Sequence, residues 1–304
     1  MQESSGITSK GILVLAIIFA GLAFTFGYVP QHKRNADLQA SVIDSFVFSH
    51  SSFEDAVLQA DVAYIENLET GQVLYQKKAA EVRPLASLTK IMTTYSALSI
   101  FPPDSSITIQ ESDLAADGDH GLVPGEVWDL EDLLVFMLIS SSNDAALAIE
   151  REALAYTEGL PFPEYMTKQA HDLGFTSLIF KNASGLDLDE EGTEPSAVGT
   201  AEDITKLFSL AYKEYKDIFD ATKKSRVTFT SSVKDHTAEN TNIALHTMPG
   251  IIGSKTGYTN TAGGNLSVVT NINNIPHLIT VLDSTRAGRF NDVQEIIDLT
   301  AQEL

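Results

Sequence analysis

The apolar positions change their spacing several times along the chain, and each change predicts a different element. From Gly11 to Val29 the sequence GILVLAIIFAGLAFTFGYV runs 19 residues without a charge. As a helix rising ~1.5 Å per residue it would reach roughly 28 Å, close to the hydrocarbon thickness of a bilayer. It reads as a retained single-pass membrane anchor. The competing reading is a cleavable signal peptide, whose apolar core is usually ~7–15 residues. A small-x-small pattern at Gly21 and Ala23 is followed by more apolar sequence up to Val29. Lys10 precedes the span and Lys33 and Arg34 follow it, so charge does not orient it.

Beyond a linker from Pro30 to about Ser52, apolar and polar residues alternate over Asp61–Leu68 and Gln72–Gln76 around Glu69-Thr-Gly71, which predicts a β-hairpin. From Ser87 the spacing turns helical, with Leu88, Met92 and Tyr95 on one face and Ile91 and Leu98 beside it. A second buried helix begins near Leu130 and runs into Ser140-Ser-Ser-Asn143. A third covers Glu202–Glu214, with Thr200 as its N-cap. Two alternating strands follow, Leu266–Thr270 and His277–Leu282. A last helix, Arg289–Leu304, carries Phe290, Val293, Ile297 and Leu304 on one stripe. Strands, a helical middle, strands and a helix predict an α/β chain of the α+β kind, an antiparallel sheet with packed helices plus a helical lobe. The predicted organisation is a tail and anchor over 1–30, a linker over 31–54 and one folded domain over 55–304.

Composition narrows the function. Asp and Glu number 41 against 20 Lys and Arg, a net charge of −21. Nucleic acid is excluded as a partner, because phosphate neutralisation needs a surplus of cations. Cysteine is absent, which removes disulfides, thiol nucleophiles and thiolate metal sites. Seven His are scattered without metal-ligand spacing, so the sequence implies no metal or organic cofactor.

Three short motifs carry candidate chemistry. In Ser87-Leu-Thr-Lys90, residues three apart share a helix face, and a neutral lysine can deprotonate the serine. Ser231-Ser-Val-Lys234 matches equally well but lies in a β-prone stretch, where i and i+3 diverge; it reads as two unrelated surface residues. Ser141-Ser-Asn143 offers a hydroxyl for proton transfer and a carboxamide for a substrate amide. Lys255-Thr-Gly257 puts an ammonium, a hydroxyl and a glycine on a strand, which suits a terminal carboxylate. The phosphate-loop alternative lacks a full Gly-x-x-x-x-Gly-Lys run.

In this order the motifs resemble those of the serine penicillin-interacting enzymes. The flanks Pro84–Thr93, Asp132–Ala146, Asn182-Ala-Ser-Gly-Leu-Asp187, Thr241-Asn242, Lys255–Thr259 and Ala262-Gly263 narrow the resemblance to the D-alanyl-D-alanine carboxypeptidases, low-molecular-mass penicillin-binding proteins of peptidase family S11. Ser142 departs from the pattern, standing where glycine is usual. The resemblance covers residues 55–304 and implies a β-lactamase/transpeptidase-like fold. It implies Ser87 as nucleophile, Lys90 as base, Ser141 as proton relay and Asn143 as orienting amide. It also implies Lys255 and Thr256 as the carboxylate anchor, Gly257 beside the substrate, and the Ser87 and Tyr258 N–H groups as oxyanion donors. The implied partners are the peptidoglycan stem peptide and β-lactams as acylating inhibitors, with the catalytic domain on the extracytoplasmic side of the cell membrane. Many members carry a C-terminal β domain with a membrane-binding helix; here the amino-terminal span is expected to replace that tether.

Three alternatives stay open: a D,D-endopeptidase, a class A-like β-lactamase and a catalytically silent wall-binding scaffold. The β-lactamase reading would use Glu194 of Glu194-Pro-Ser, but Val198 stands where an asparagine is needed, so an exposed acidic loop with Asp187, Asp189, Glu190 and Glu191 is the preferred reading. Arg286 and Arg289 are candidates either for carboxylate binding or for solvating the start of the last helix.

Overall fold

The computed structural model describes residues 53, 56–102, 104–115, 121–189, 191–248 and 250–304. The anchor read over 11–29 lies outside the described residues, as does nearly all of the linker; among the described residues no helix is long and apolar enough to cross a membrane. The first alternating stretch folds as the predicted hairpin, β1 (Val62–Asn67) with β2 (Val73–Lys77). After the short strand β3 (Arg83–Pro84), Ser87 lies in one 3-10 turn, Ala86–Leu88, ahead of α1 (Thr89–Ile100). The Ser87–Lys90 motif thus straddles a sharp strand-to-helix corner, with Ala86 at φ 49°, rather than opening a regular helix.

The helical spacing predicts one buried face for α1, yet Thr89 through Ala97 are all buried. The polar side chains on its other faces are satisfied internally: Thr94 Oγ1 donates to the Lys90 carbonyl (2.8 Å), Thr93 Oγ1 to the Ala183 carbonyl (2.7 Å) and Ser96 Oγ to Gln169 (2.7 Å). Next come β4 (Ser106–Thr108) and β5 (Val127–Asp129), paired antiparallel. Asp129 caps α2 (Leu130–Ser140), accepting from Glu131 N (2.9 Å) and Asp132 N (3.2 Å), and the run Leu133–Ser140 is wholly buried.

The lobe continues with α3 (Asn143–Ala153) and α4 (Phe162–Asp172), neither of which the apolar spacing singles out. Strands β6 (Ile179–Phe180) and β7 (Ala197–Gly199) join β3 in a small sheet. Thr200 caps α5 (Ala201–Glu214) as predicted, accepting from Asp203 N at 3.1 Å. A single turn, α6 (Lys216–Asp220), leads to the hairpin β8 (Arg226–Thr230) and β9 (Asp235–Glu239).

The chain then returns to the first hairpin. Strands β10 (Ile251–Thr259), β11 (Gly263–Ile272) and β12 (Ile275–Ser284) complete a five-stranded antiparallel sheet in the order β10-β11-β12-β1-β2, leaving β10 at an edge. Strands β11 and β12 are longer than their alternation suggests. They meet at Asn273-Asn274, both left-handed (φ 50° and 65°), the two-residue turn that matches strand twist. Helix α7 (Gly288–Glu303) covers one face of the sheet, placing Phe290, Val293 and Ile297 against Ile65, Val268 and Ile279; Leu304, predicted on the same stripe, is exposed. The other face, carrying Tyr64, Val269 and Leu282, packs on the helical lobe.

Asp292 of α7 fastens the start of β1. Its buried carboxylate accepts from Gln59 N (2.7 Å), Ala60 N (3.0 Å) and Ser284 Oγ (2.5 Å). Asp292→Ala would leave these donors without an acceptor and is expected to lower the unfolding free energy by about 2–4 kcal/mol, read as a reduced denaturant midpoint. An unchanged midpoint would show that the clasp carries no stability.

Candidate active site

The edge strand β10 and the helical lobe meet at a cavity of about 840 Å³ whose lining includes Ser87, Ser141, Asn143, Thr256, Tyr258 and Arg289. Three of the candidate residues come from loop-helix corners. Ser87 sits in the 3-10 turn, which places Lys90 one turn deeper on α1. Ser141 ends α2 in the left-handed conformation (φ 62°, ψ 30°), and this reversal sends Asn143 off as the first residue of α3. Ser142, which departs from the family pattern, is the N-cap of α3; its hydroxyl accepts from Ala145 N at 3.1 Å.

Lys90 is 0% exposed and Lys255 is 1% exposed. Lys90 Nζ lies 3.0 Å from Ser87 Oγ, 2.9 Å from Asn143 Oδ1 and 2.6 Å from the Ser184 carbonyl oxygen. Burial lowers its pKa from the usual lysine range to about 7. A neutral amine has two N–H bonds and one lone pair. Asn143 Oδ1 and the Ser184 carbonyl can only accept, so the two N–H bonds go to them and the lone pair is left facing the Ser87 hydroxyl. A neutral Lys90 can therefore accept a proton from Ser87.

Across the cleft Lys255 Nζ donates to Ser141 Oγ (2.9 Å) and to the Thr256 carbonyl (2.8 Å). Its pKa is driven well down, first by burial and then by the charges of Lys90 and Arg289. The repulsion between the two ammoniums is mutual, so the pair favours one proton over two. Thr256 Oγ1 pairs with Thr241 Oγ1 at 2.6 Å, beside the cavity. A β-carbon on Gly257 would stand 2.9 Å from the Leu85 carbonyl oxygen and 3.2 Å from Ser87 N. Glycine here lets β10 run against the Ala86–Leu88 turn. Tyr258 follows, its side chain 43% exposed.

The Asn182–Asp187 segment shapes the remaining wall. Asn182 Oδ1 accepts from Gly185 N (2.8 Å), and its Nδ2 donates to the Leu186 carbonyl (2.9 Å), folding a tight turn that presents the Ser184 carbonyl to Lys90. Gly185 has φ 78°, and a β-carbon there would overlap the Ala86 carbonyl oxygen at 2.0 Å. Asp187 pins the segment to the turn after β10, accepting from Thr261 Oγ1 at 2.6 Å. It is half-buried, so the acidic loop is less free than the sequence suggests. Glu194 is exposed, paired with Lys181 at 2.9 Å, and absent from the cavity lining.

The second Ser-x-x-Lys match is only partly a surface feature. Lys234 is exposed, but Ser231 is buried and donates to Glu126 Oε2 (2.8 Å), which also meets His236 Nε2 (2.7 Å). Arg289 does not solvate a helix start: it is buried, with Nη1 donating to the Gly257 carbonyl (2.5 Å), and burial lowers its pKa to about 10. Among the described residues no cluster of His, Cys, Asp or Glu converges to hold a metal ion.

An α/β fold of the penicillin-binding/transpeptidase type, with a serine held by a buried lysine at its cleft, defines the class. Within it the chain belongs to the D-alanyl-D-alanine carboxypeptidase family, peptidase S11, whose model matches residues 49–286. It is 32% identical over 222 residues to the D-alanyl-D-alanine carboxypeptidase DacF of Bacillus subtilis, covering 67% of this chain and 52% of that protein. The chain thus spans about half the length of that relative. It is 30% identical over 230 residues to a D-alanyl-D-alanine endopeptidase of Escherichia coli, covering 73% of this chain and 70% of that protein. Penicillin-binding protein D2 of Listeria monocytogenes in its ampicillin-bound form superposes with a TM-score of 0.68 at 30% identity, over 81% of this chain and 98% of that one.

Protonated Lys90 has no lone pair to offer. The rate constant for acylation of Ser87 by a penicillin is therefore expected to rise about tenfold per pH unit below 7 and to level off above it. A profile flat from pH 5 to 8 would rule out Lys90 as the titrating base.

Proposed function

We propose that the protein is a serine D-alanyl-D-alanine carboxypeptidase that removes the terminal D-alanine from peptidoglycan stem peptides through an acyl-enzyme on Ser87. The observation that carries this reading is the 3.0 Å approach of a buried lysine amine, its pKa near 7, to the Ser87 hydroxyl. Lys90 takes the Ser87 proton as Oγ bonds to the carbonyl carbon between the two D-alanines. The Ser87 and Tyr258 N–H groups receive the developing oxyanion, where each such donor typically contributes about 3 kcal/mol. The C–N bond then breaks, and Ser141 relays a proton to the leaving amine. Asn143 orients Lys90 and the substrate amide. Water attacks the ester, giving its proton to Lys90; the Oγ–C bond breaks, Ser87 Oγ takes that proton back from Lys90, and the shortened peptide leaves with a new carboxylate.

Lys255 and Thr256 hold the carboxylate of the departing residue. That carboxylate stabilises the ammonium of Lys255, and the charge so retained keeps Lys90 neutral. No carboxylate lines the cavity among the described residues, which supports slow water attack on a penicilloyl-enzyme and argues against the β-lactamase reading. Every motif side chain meets its partner, which argues against a silent scaffold. Residues 11–29 are proposed to tether the enzyme to the membrane as a single span, which their length and unbroken apolarity support, with the catalytic domain on the extracytoplasmic side, where a peptidoglycan substrate would lie.

The resemblance to the Escherichia coli endopeptidase supports a second reading, cleavage of D,D cross-links by the same acyl-enzyme chemistry. A stem pentapeptide and a cross-linked dimer separate the two. The carboxypeptidase reading expects free D-alanine from the pentapeptide, a penicilloyl mass on Ser87, and loss of both by more than a thousandfold in Ser87→Ala. Monomer release from the dimer without D-alanine release would favour the endopeptidase. Folded protein that penicillin does not label would favour the scaffold.

A further inference from the structure

Of the five described arginines, three pair with carboxylates: Arg83 with Asp61 and Glu81, Arg151 with Asp113 and Glu152, and Arg226 with Glu239. The remaining two, Arg286 and Arg289, have no carboxylate partner among the described residues, and both line the catalytic cavity. In a chain with 41 acidic side chains against 20 basic ones, an exposed guanidinium left without a carboxylate is unusual. Arg289 is occupied by the Gly257 carbonyl. Arg286 is not so occupied: its guanidinium lies over the Tyr258 ring, 5.0 Å from the centroid. An aromatic ring holds the cation in place and leaves N–H groups of its planar fork open to a carboxylate.

Its position along β10 tells which part of a substrate it would meet. The departing residue's carboxylate belongs at Lys255 and Thr256, and the reacting carbonyl at Ser87, which Gly257 faces. Tyr258 is the next residue on, about 3.3 Å further along the strand. Arg286 therefore stands beyond the reacting carbonyl, on the side where the acyl donor continues along the open edge of the sheet.

We propose that Arg286, held on Tyr258, is an anion subsite that takes a side-chain carboxylate of the acyl-donor peptide, so that the enzyme selects acidic stem peptides over their amidated counterparts. The assignment rests on the carboxypeptidase reading of the same cavity. It gives the exposed cation a role distinct from that of Lys255, whose carboxylate every substrate carries.

Two peptides ending in D-Ala-D-Ala test it, differing only in whether the residue before the two alanines bears a free side-chain carboxylate or its amide. With the full chain at low salt, the carboxylate peptide is expected to be favoured about tenfold in kcat/KM, the size of one exposed charge-assisted contact. The preference should shrink as salt is raised. In Arg286→Gln the ratio should fall to about one, and Arg286→Lys should keep part of it, because an ammonium retains charge without the fork. The ratio is internal to each variant, so a general loss of activity does not imitate the result. A ratio near one in the unaltered enzyme, or a preference that survives in Arg286→Gln, would overturn the subsite while leaving the carboxypeptidase reading intact. Hydrolysis of neither peptide would overturn both.

Discussion

Two lysine side chains lie buried at one cleft, and among the described residues neither meets a carboxylate. Burying a charge without a counter-charge is costly, and the usual escape is loss of the proton. In the proposed mechanism that escape supplies the base. An amine that would hold its proton to about pH 10 in water is brought near 7 by burial and can act as a base under ordinary conditions. Its hydrogen-bond acceptors then fix where the free electron pair points.

The rest of the fold can be understood as the means of keeping these amines dry and close. Thr89 through Ala97 of α1 are all buried, so Lys90 is shielded from solvent and faces Ser87 beside the cavity. Strand β10 lies at the sheet edge and approaches the Ala86–Leu88 turn closely because Gly257 has no side chain. The Asn182–Asp187 segment closes the gap between them, contributing the Ser184 carbonyl on one side and the Asp187 bond to Thr261 on the other. The two halves of the site, one from the lobe and one from the sheet, are thus joined by a turn that carries no reactive side chain of its own.

Much of this is legible in the chain. The hairpin of β1 and β2, the capped helices α2 and α5 and the returning strands follow from alternation, helical spacing and cap residues, because each depends on local pattern. The motif side chains are also readable, since Ser-x-x-Lys, Ser-x-Asn and Lys-Thr-Gly occur once together in order. What escapes is tertiary. Enclosure of α1 depends on Thr93, Thr94 and Ser96 finding partners that no window of sequence contains. The Ser184 carbonyl is a backbone atom, signalled only by the Asn-x-x-Gly turn that aims it. Burial of Ser231 depends on Glu126, more than a hundred residues away. Leu304 follows the last residue of α7 and is exposed, so the apolar stripe stops before it.

The protonation state of Lys90 in the resting protein can be observed without catalysis. Lysine labelled with carbon-13 at the ε position, with the Lys90 signal assigned by its loss in Lys90→Arg, reports the charge on that amine directly by NMR across a pH titration. An amine held neutral by burial is expected to titrate with a midpoint near 7. A midpoint near the ordinary lysine value of about 10.4 would contradict it.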